Sequence, residues 1–251
     1  MKNIVKYTHH LLCVVGAASL IISCKHAPKQ ECASRELSAM RQAVERQIQN
    51  QCRQILDQLA AFSKVVASDR DFSMKLFVEN NRSAPEVTDF TQRYMEPMGF
   101  SLLELADSRQ VLLSCAQFSA SAGSSVAEKA ALLGDRATFI NENAKGQPAL
   151  TLQAQLRFKI LDSTLYCSGG RIVDEDFVSR LCVGSGFKVI IKEGQKFIGL
   201  NPAASVSGST DTSITINDTT YSASSIAVPF AGQGESPVFV VVNEHAATGK
   251  R

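Results

Sequence analysis

The chain has 251 residues, 26 of them basic and 24 acidic, for a formal net charge of +2. So even a balance gives no electrostatic footprint for nucleic acid. With 45% apolar residues the chain can bury a real core, in one elongated domain or two small ones.

Lys2 and Lys6 precede an apolar run over 11–22. That run is shorter than the roughly 20 residues a membrane-spanning helix needs, so residues 1–23 read as a signal peptide. Leu20-Ile21-Ile22-Ser23-Cys24 resembles the lipobox of bacterial lipoproteins. The resemblance implies cleavage between Ser23 and Cys24, lipid on Cys24, and a lipidated tether over 24–33. Lys25 stands where an aspartate would retain such a protein at the inner membrane, which favours the periplasmic side of an outer membrane. Two lysines and no acid leave with the signal, so the 228 residues from Cys24 onward are formally neutral.

Of seven cysteines, Cys13 falls in the signal and Cys24 at the anchor, leaving an odd five in an oxidising compartment. At least one is therefore unpaired or bonded to another chain. Cys32 and Cys52 would lie about 30 Å apart on one helix and cannot bond within it. Cys167 and Cys182 are a candidate disulfide, since a helix after Gly170 could pack back over the preceding hairpin; the alternative is two small buried hydrophobes.

Leu37, Met40, Val44, Ile48, Cys52, Ile55, Leu59, Phe62 and Val66 recur every three or four residues, which predicts one long amphipathic helix. Its first half carries a narrow stripe over 37–52. That stripe can lie on the chain's own domain or serve a coiled-coil partner. Ser68 can cap a second helix through Phe72, Leu76 and Phe77. Ser83 and Glu86 form a capping box for a third, with Val87, Phe90 and Tyr94 as its apolar side. A hairpin follows over 100–118, turning at Asp107-Ser108-Arg109-Gln110, then a short helix over 126–133. Strands are expected over 137–141 and 151–160, the second alternating apolar and polar residues. The run 165–167 folds back on it, and Gly169-Gly170 frees the backbone to turn sharply. Asp174 can cap a helix that Gly184 stops. Paired strands over 187–191 and 196–200, a mobile loop over 203–212, a hairpin turning at Asn217-Asp218 and a strand over 238–242 complete the chain. Helices first and then antiparallel strands make an α+β class.

Of four histidines only His26 and His245 follow the signal, and no G-x-S-x-G, H-E-x-x-H or C-x-x-C is present. Hydrolytic triads and metal sites therefore have no sequence support, and neither an enzyme nor a cofactor is expected.

The long entry helix, the short helices, the hairpin 100–107 with 111–113, and Gly169-Gly170-Arg171-Ile172-Val173-Asp174-Glu175-Asp176-Phe177 resemble the Cache family, the PAS-like extracytoplasmic sensors of bacterial kinases and chemoreceptors. Gln110 stands where such hairpins often carry glycine. The resemblance implies a long N-terminal helix and short helices packed on an antiparallel PAS/Cache-like sheet, forming a sensor domain over 34–245 with a polar tail over 246–251. It implies a small-molecule ligand between the sheet and the layer beside it, near Tyr94, Arg136, Arg157 and Tyr166. No kinase or methyl-accepting segment follows, so the expected output is through a membrane signalling partner or self-association by the 37–52 stripe. The alternative is a scaffold lipoprotein binding its partner through that helix.

Overall fold

The computed structural model describes residues 29–134, 136–144, 146–181, 184–201, 203–232 and 235–248. Cys24 and Cys182 lie outside them. The long helix α1 is Lys29–Ser68, free of glycine and proline throughout, so the last part of the expected tether is already helical. Leu37, Val44, Ile48, Ile55, Leu59, Phe62 and Val66 are all buried along one face.

Asp69, one residue beyond the expected Ser68, caps α2 (Arg70–Ser73) by accepting the Phe72 N–H at 2.8 Å. A π-helical turn, Met74–Val78, follows. The next pair, α3 (Pro85–Thr88) and α4 (Phe90–Met95), starts after Ala84 and not at the expected Ser83 box. Pro85 opens α3 with its φ already set for a first helical position, and no side chain caps the start. Phe90 packs its ring 4.8 Å from Phe72, 5.1 Å from Tyr94 and 6.0 Å from Phe62, tying these helices to α1. Buried Ser114 accepts the Thr91 N–H at 3.0 Å and donates to the Thr88 carbonyl at 2.7 Å, fixing them to the sheet.

The expected α+β arrangement forms, but its antiparallel strands divide between two sheets. The first has the order β2-β1-β5-β4-β3, with β1 Leu102–Ala106, β2 Leu112–Cys115, β3 Thr138–Ala144, β4 Gln147–Ile160 and β5 Ser163–Ile172. A short helix, α5 (Ala127–Leu133), lies between β2 and β3 in the chain, and α6 (Glu175–Ser179) follows β5. The second sheet has the order β7-β6-β11-β10-β9-β8, with β6 Phe187–Glu193, β7 Lys196–Ile198, β8 Val206–Ser209, β9 Ser213–Ile216, β10 Thr219–Ala227 and β11 Val238–Thr248. Both follow one plan, a hairpin and then a meander whose last strand inserts beside the hairpin's first. β8 occupies part of the expected 203–212 loop, and β11 continues into the expected tail.

The glycine pair is a second correction. β5 runs straight through Gly169 and Gly170, and what they supply is space. A Cβ on Gly170 would run into the Leu152 carbonyl and stand 2.6 Å from Gln153 Cγ, and one on Gly169 would sit 3.1 Å from Leu59 Cδ2. The β4–β5 pairing and the seat of α1 both need bare backbone here. Left-handed backbone occurs instead at Gln110, with φ 60°, and at Asn217 and Asp218, with φ 48° and 60°. Asp174 caps α6 as expected, accepting the Phe177 N–H at 2.9 Å, but the helix ends at Ser179, before Gly184.

The C-terminal half of α1 lies on β4 and β5 and its N-terminal half on β10 and β11. Of the two readings of the 37–52 stripe, the chain's own domain or a partner, the structure shows the first: the second sheet covers it. The sheets also meet directly. Phe139 on β3 donates its N–H to the Pro229 carbonyl and accepts from the Ala231 N–H, both at 2.9 Å. Its ring lies 5.3 Å from Phe239 of β11 and 6.4 Å from Phe177 of α6. One continuous apolar core joins α1 to the facing sides of both sheets. Among the described residues, no helix is long and apolar enough to cross a membrane.

Candidate functional site

The face of the first sheet turned away from α1 is polar where a sheet core is usually dry. Glu104, in the middle of the all-buried strand β1, is 7% exposed, and it faces Ser168 across the β1–β5 pair. The Ser168 hydroxyl donates to Glu104 Oε2 at 2.9 Å. From α5, Lys129 Nζ reaches Glu104 Oε2 at 2.7 Å and Glu142 Oε1 at 2.6 Å, Glu142 lying on β3. Gln153 Nε2 donates to Glu142 Oε2 and, at 2.9 Å, to Thr151 Oγ1, whose hydroxyl donates to the Ile140 carbonyl at 3.0 Å. Burial alone would drive the Lys129 ammonium toward its neutral form. The charges of Glu104 and Glu142 outweigh it, and the pKa stands above the ordinary lysine value.

Beside this network opens a cavity of about 690 Å³, bordered by Glu104, Cys115, Gln117, Phe118, Glu142 and Asn143. That volume suits a small molecule. Phe118 stands at it 66% exposed. Cys115 is buried, and burial together with the charge of Glu104 raises its thiol pKa, which keeps the sulfur protonated at neutral pH. A cavity of about 660 Å³ also lies between α6 and the β6–β7 end of the second sheet. Its walls include Val178, Leu181, Phe187 and Leu200, with Glu175, Lys188 and Asn201 also at its border. Among the described residues, no group of three His, Cys, Asp or Glu is placed to hold a metal ion.

The residues expected near a ligand are distributed differently. Arg157 and Tyr166 face each other across the β4–β5 pair, on the same side of the sheet as Glu104. Arg136 is exposed just before β3. Tyr94 packs on the opposite side, in the ring cluster with Phe62 and Phe90. Cys167 is a buried thiol against the Leu59 and Leu156 carbonyls, and burial pushes its pKa up to about 12. Sequence reasoning missed Glu104, Lys129 and Glu142 because three separate elements bring them together. One signal was available: Glu104 is the single charge within the otherwise apolar 102–106 run.

On the other face of β5, Arg171 joins the sheet to α1. It donates to the Gly99 carbonyl at 3.2 Å, to Gln54 and Gln58 Oε1 at 3.2 Å each, and to Gln51 Oε1. Burial and the nearby charge of Arg180 lower its pKa. The strand that supports Glu104 through Ser168 thus grips the long helix three residues further on.

No protein-family model matches the chain, and no curated protein matches it. Among solved structures, the sensor domain of the Vibrio cholerae histidine kinase DctB aligns with a TM-score of 0.48 and 11% identity, over 85% of this chain and 97% of that one. The periplasmic domain of Vibrio cholerae LuxQ gives 0.49 and 10%, over 83% and 98%. The extracellular domain of vpHK1S-Z8 gives 0.49 and 12%, over 86% and 96%. The likeness lies in the general run of the chain, and it assigns neither family, ligand nor partner.

Proposed function

We propose that this chain is a small-molecule-binding sensor or accessory module on the periplasmic side of a bacterial envelope, held there by lipid on Cys24 and signalling through a partner protein. The observation that carries the reading is the cavity of about 690 Å³ set against the Glu104–Lys129–Glu142 network, in which Glu104 is buried and the other two are partly so. Buried ionic groups stabilise a fold weakly at best, so a polar floor under open space is better explained by binding than by folding. The scaffold alternative needs an exposed stripe over 37–52, and Leu37, Val44 and Ile48 are buried within the chain. Occupancy of the cavity biases α1, which Arg171 grips from the strand that supports the site, and the bias can be no larger than the ligand's preference for one arrangement.

A melting-temperature screen across amines, amino acids, organic acids and other small solutes tests the reading. A ligand at 100 times its dissociation constant adds about 2.7 kcal/mol, enough for a clear shift. A panel with no shift rejects the sensor. Anchoring has its own test: a fatty-acid probe should label the chain and fail to label Cys24→Ala.

A further inference from the structure

Glu104 and Glu142 sit on β1 and β3, which are not neighbours; β5 and β4 lie between them. Each is held by the sheet itself, Glu104 by Ser168 and Glu142 by Gln153. One buried and one partly buried carboxylate are therefore fixed in position without help from α5, an arrangement that is costly unless a cation sits between them. The cation present comes from outside the sheet. It is carried on a seven-residue helix whose one buried residue is Leu133. Its Nζ lies 2.7 and 2.6 Å from the two carboxylates, at charge-assisted hydrogen-bond distance from both. Both carboxylates border the cavity, while no basic residue among those described does. Gln117, also at the cavity, has a buried Nε2 with no partner.

We propose that Glu104 and Glu142 form a binding site for a primary ammonium group, and that Lys129 is its resident occupant, latching residues 119–134 over the cavity until a ligand ammonium replaces it. A lysine is well suited to the role because its ammonium is a compact charge with three donors on a flexible stem. The replaced Lys129 moves into solvent with its helix, and the ligand, seated between the carboxylates, covers the Cys115 wall of the cavity in the latch's place. The proposal rests on the cavity being the ligand site, but its test does not need the natural ligand.

The test is peptide-resolved alkylation of the full chain. Cys115 borders the cavity and is 5% exposed, while Cys167 is 0% exposed in the core and reports global unfolding. In Lys129→Ala, Cys115 should react about tenfold faster or more while Cys167 is unchanged, the signature of local opening. Millimolar n-butylammonium, the lysine head group cut free, should slow Cys115 again; tetramethylammonium, with no N–H to donate, should not. The charge-balanced Lys129→Ala/Glu142→Gln variant guards against a fold lost to unpaired carboxylates, and it should show the same selective opening with the rescue lost. Cys115 and Cys167 accelerating together, Cys115 unchanged, or rescue equal with both cations would each overturn the proposal. A failed ligand screen alongside an intact rescue rejects the sensor and keeps the ammonium site.

Discussion

The two sheets share one strand plan and differ in what covers the face away from α1. At the centre of the first, the β1–β5 pair carries Glu104 and Ser168, with Lys129 and Glu142 joined to them and a cavity alongside. At the centre of the second, the corresponding β6–β11 pair carries Ile190 and Val240, packed with Ile214, Ala223 and Val242 into a small dry core. Phe197, Leu200, Val206 and Ile216 close over it. One backbone plan thus serves once with a polar face and once with a filled one, and the side chains at a few alternate strand positions make the difference. The second sheet's remaining role is mechanical: it seats the N-terminal half of α1.

Ile190→Glu should break this contrast most severely. A carboxylate without a partner on the dry face should cost about 3–5 kcal/mol in denaturant titration, as broken buried ion pairs do. A cost near zero would mean that the second face is as wet as the first. Phe139→Ala, at the junction of the sheets, should cost about 3–5 kcal/mol for a buried aromatic. It should also split a single unfolding transition into two, because it removes the ring against Phe239 and Phe177; a transition that stays single would place the coupling in α1 alone. Glu104→Gln should cost about 1–3 kcal/mol, leaving Lys129 with one carboxylate. The same variant should abolish any thermal shift found in the screen, and a shift that survives would move the ligand off this face.

The smallest effect expected is at Asp107 in the β1–β2 turn. Burial works to raise its pKa, but Arg82 at 2.7 Å and the Val111 and Arg109 N–H groups prevail, holding the folded value below the ordinary 3.8. A depressed carboxylate contributes stability above its unfolded pKa and loses it as pH falls through the folded one. Arg82 is half exposed, so the ion pair is worth under about 1 kcal/mol. The gap between wild type and Asp107→Asn should be constant above about pH 5 and close below 3.8. A gap that widens with acid would contradict the assignment.

The elements with local causes were legible in the sequence. Apolar spacing marked α1, Asn217-Asp218 marked the β9–β10 turn, and Asp174 marked the start of α6. Gly169-Gly170 misled because glycine announces backbone freedom without saying whether the fold uses it for a turn or for room, and here the neighbours Leu152, Gln153 and Leu59 decide. The division into two sheets left no local mark, since each sheet closes by a strand returning to the first of its hairpin. The site was illegible for the same reason: Lys129 meets Glu104 across 25 residues and Glu142 across 13. The stripe of α1 was read correctly as apolar, but its cover is supplied by β10 and β11 at the far end of the chain.

That last separation has a consequence in time. Leu37, Val44 and Ile48 are among the first core residues to be made, and Phe239 and Val241, in the same core, are among the last. At about 5–20 residues per second the helix waits roughly 10–40 seconds for β11 to exist. Throughout that interval its apolar edge is open to any passing chain, and contacts so distant in sequence close slowly even once synthesis ends. The newborn protein should therefore depend on a holding chaperone at its N-terminal helix, and it should aggregate from there when β11 is shortened.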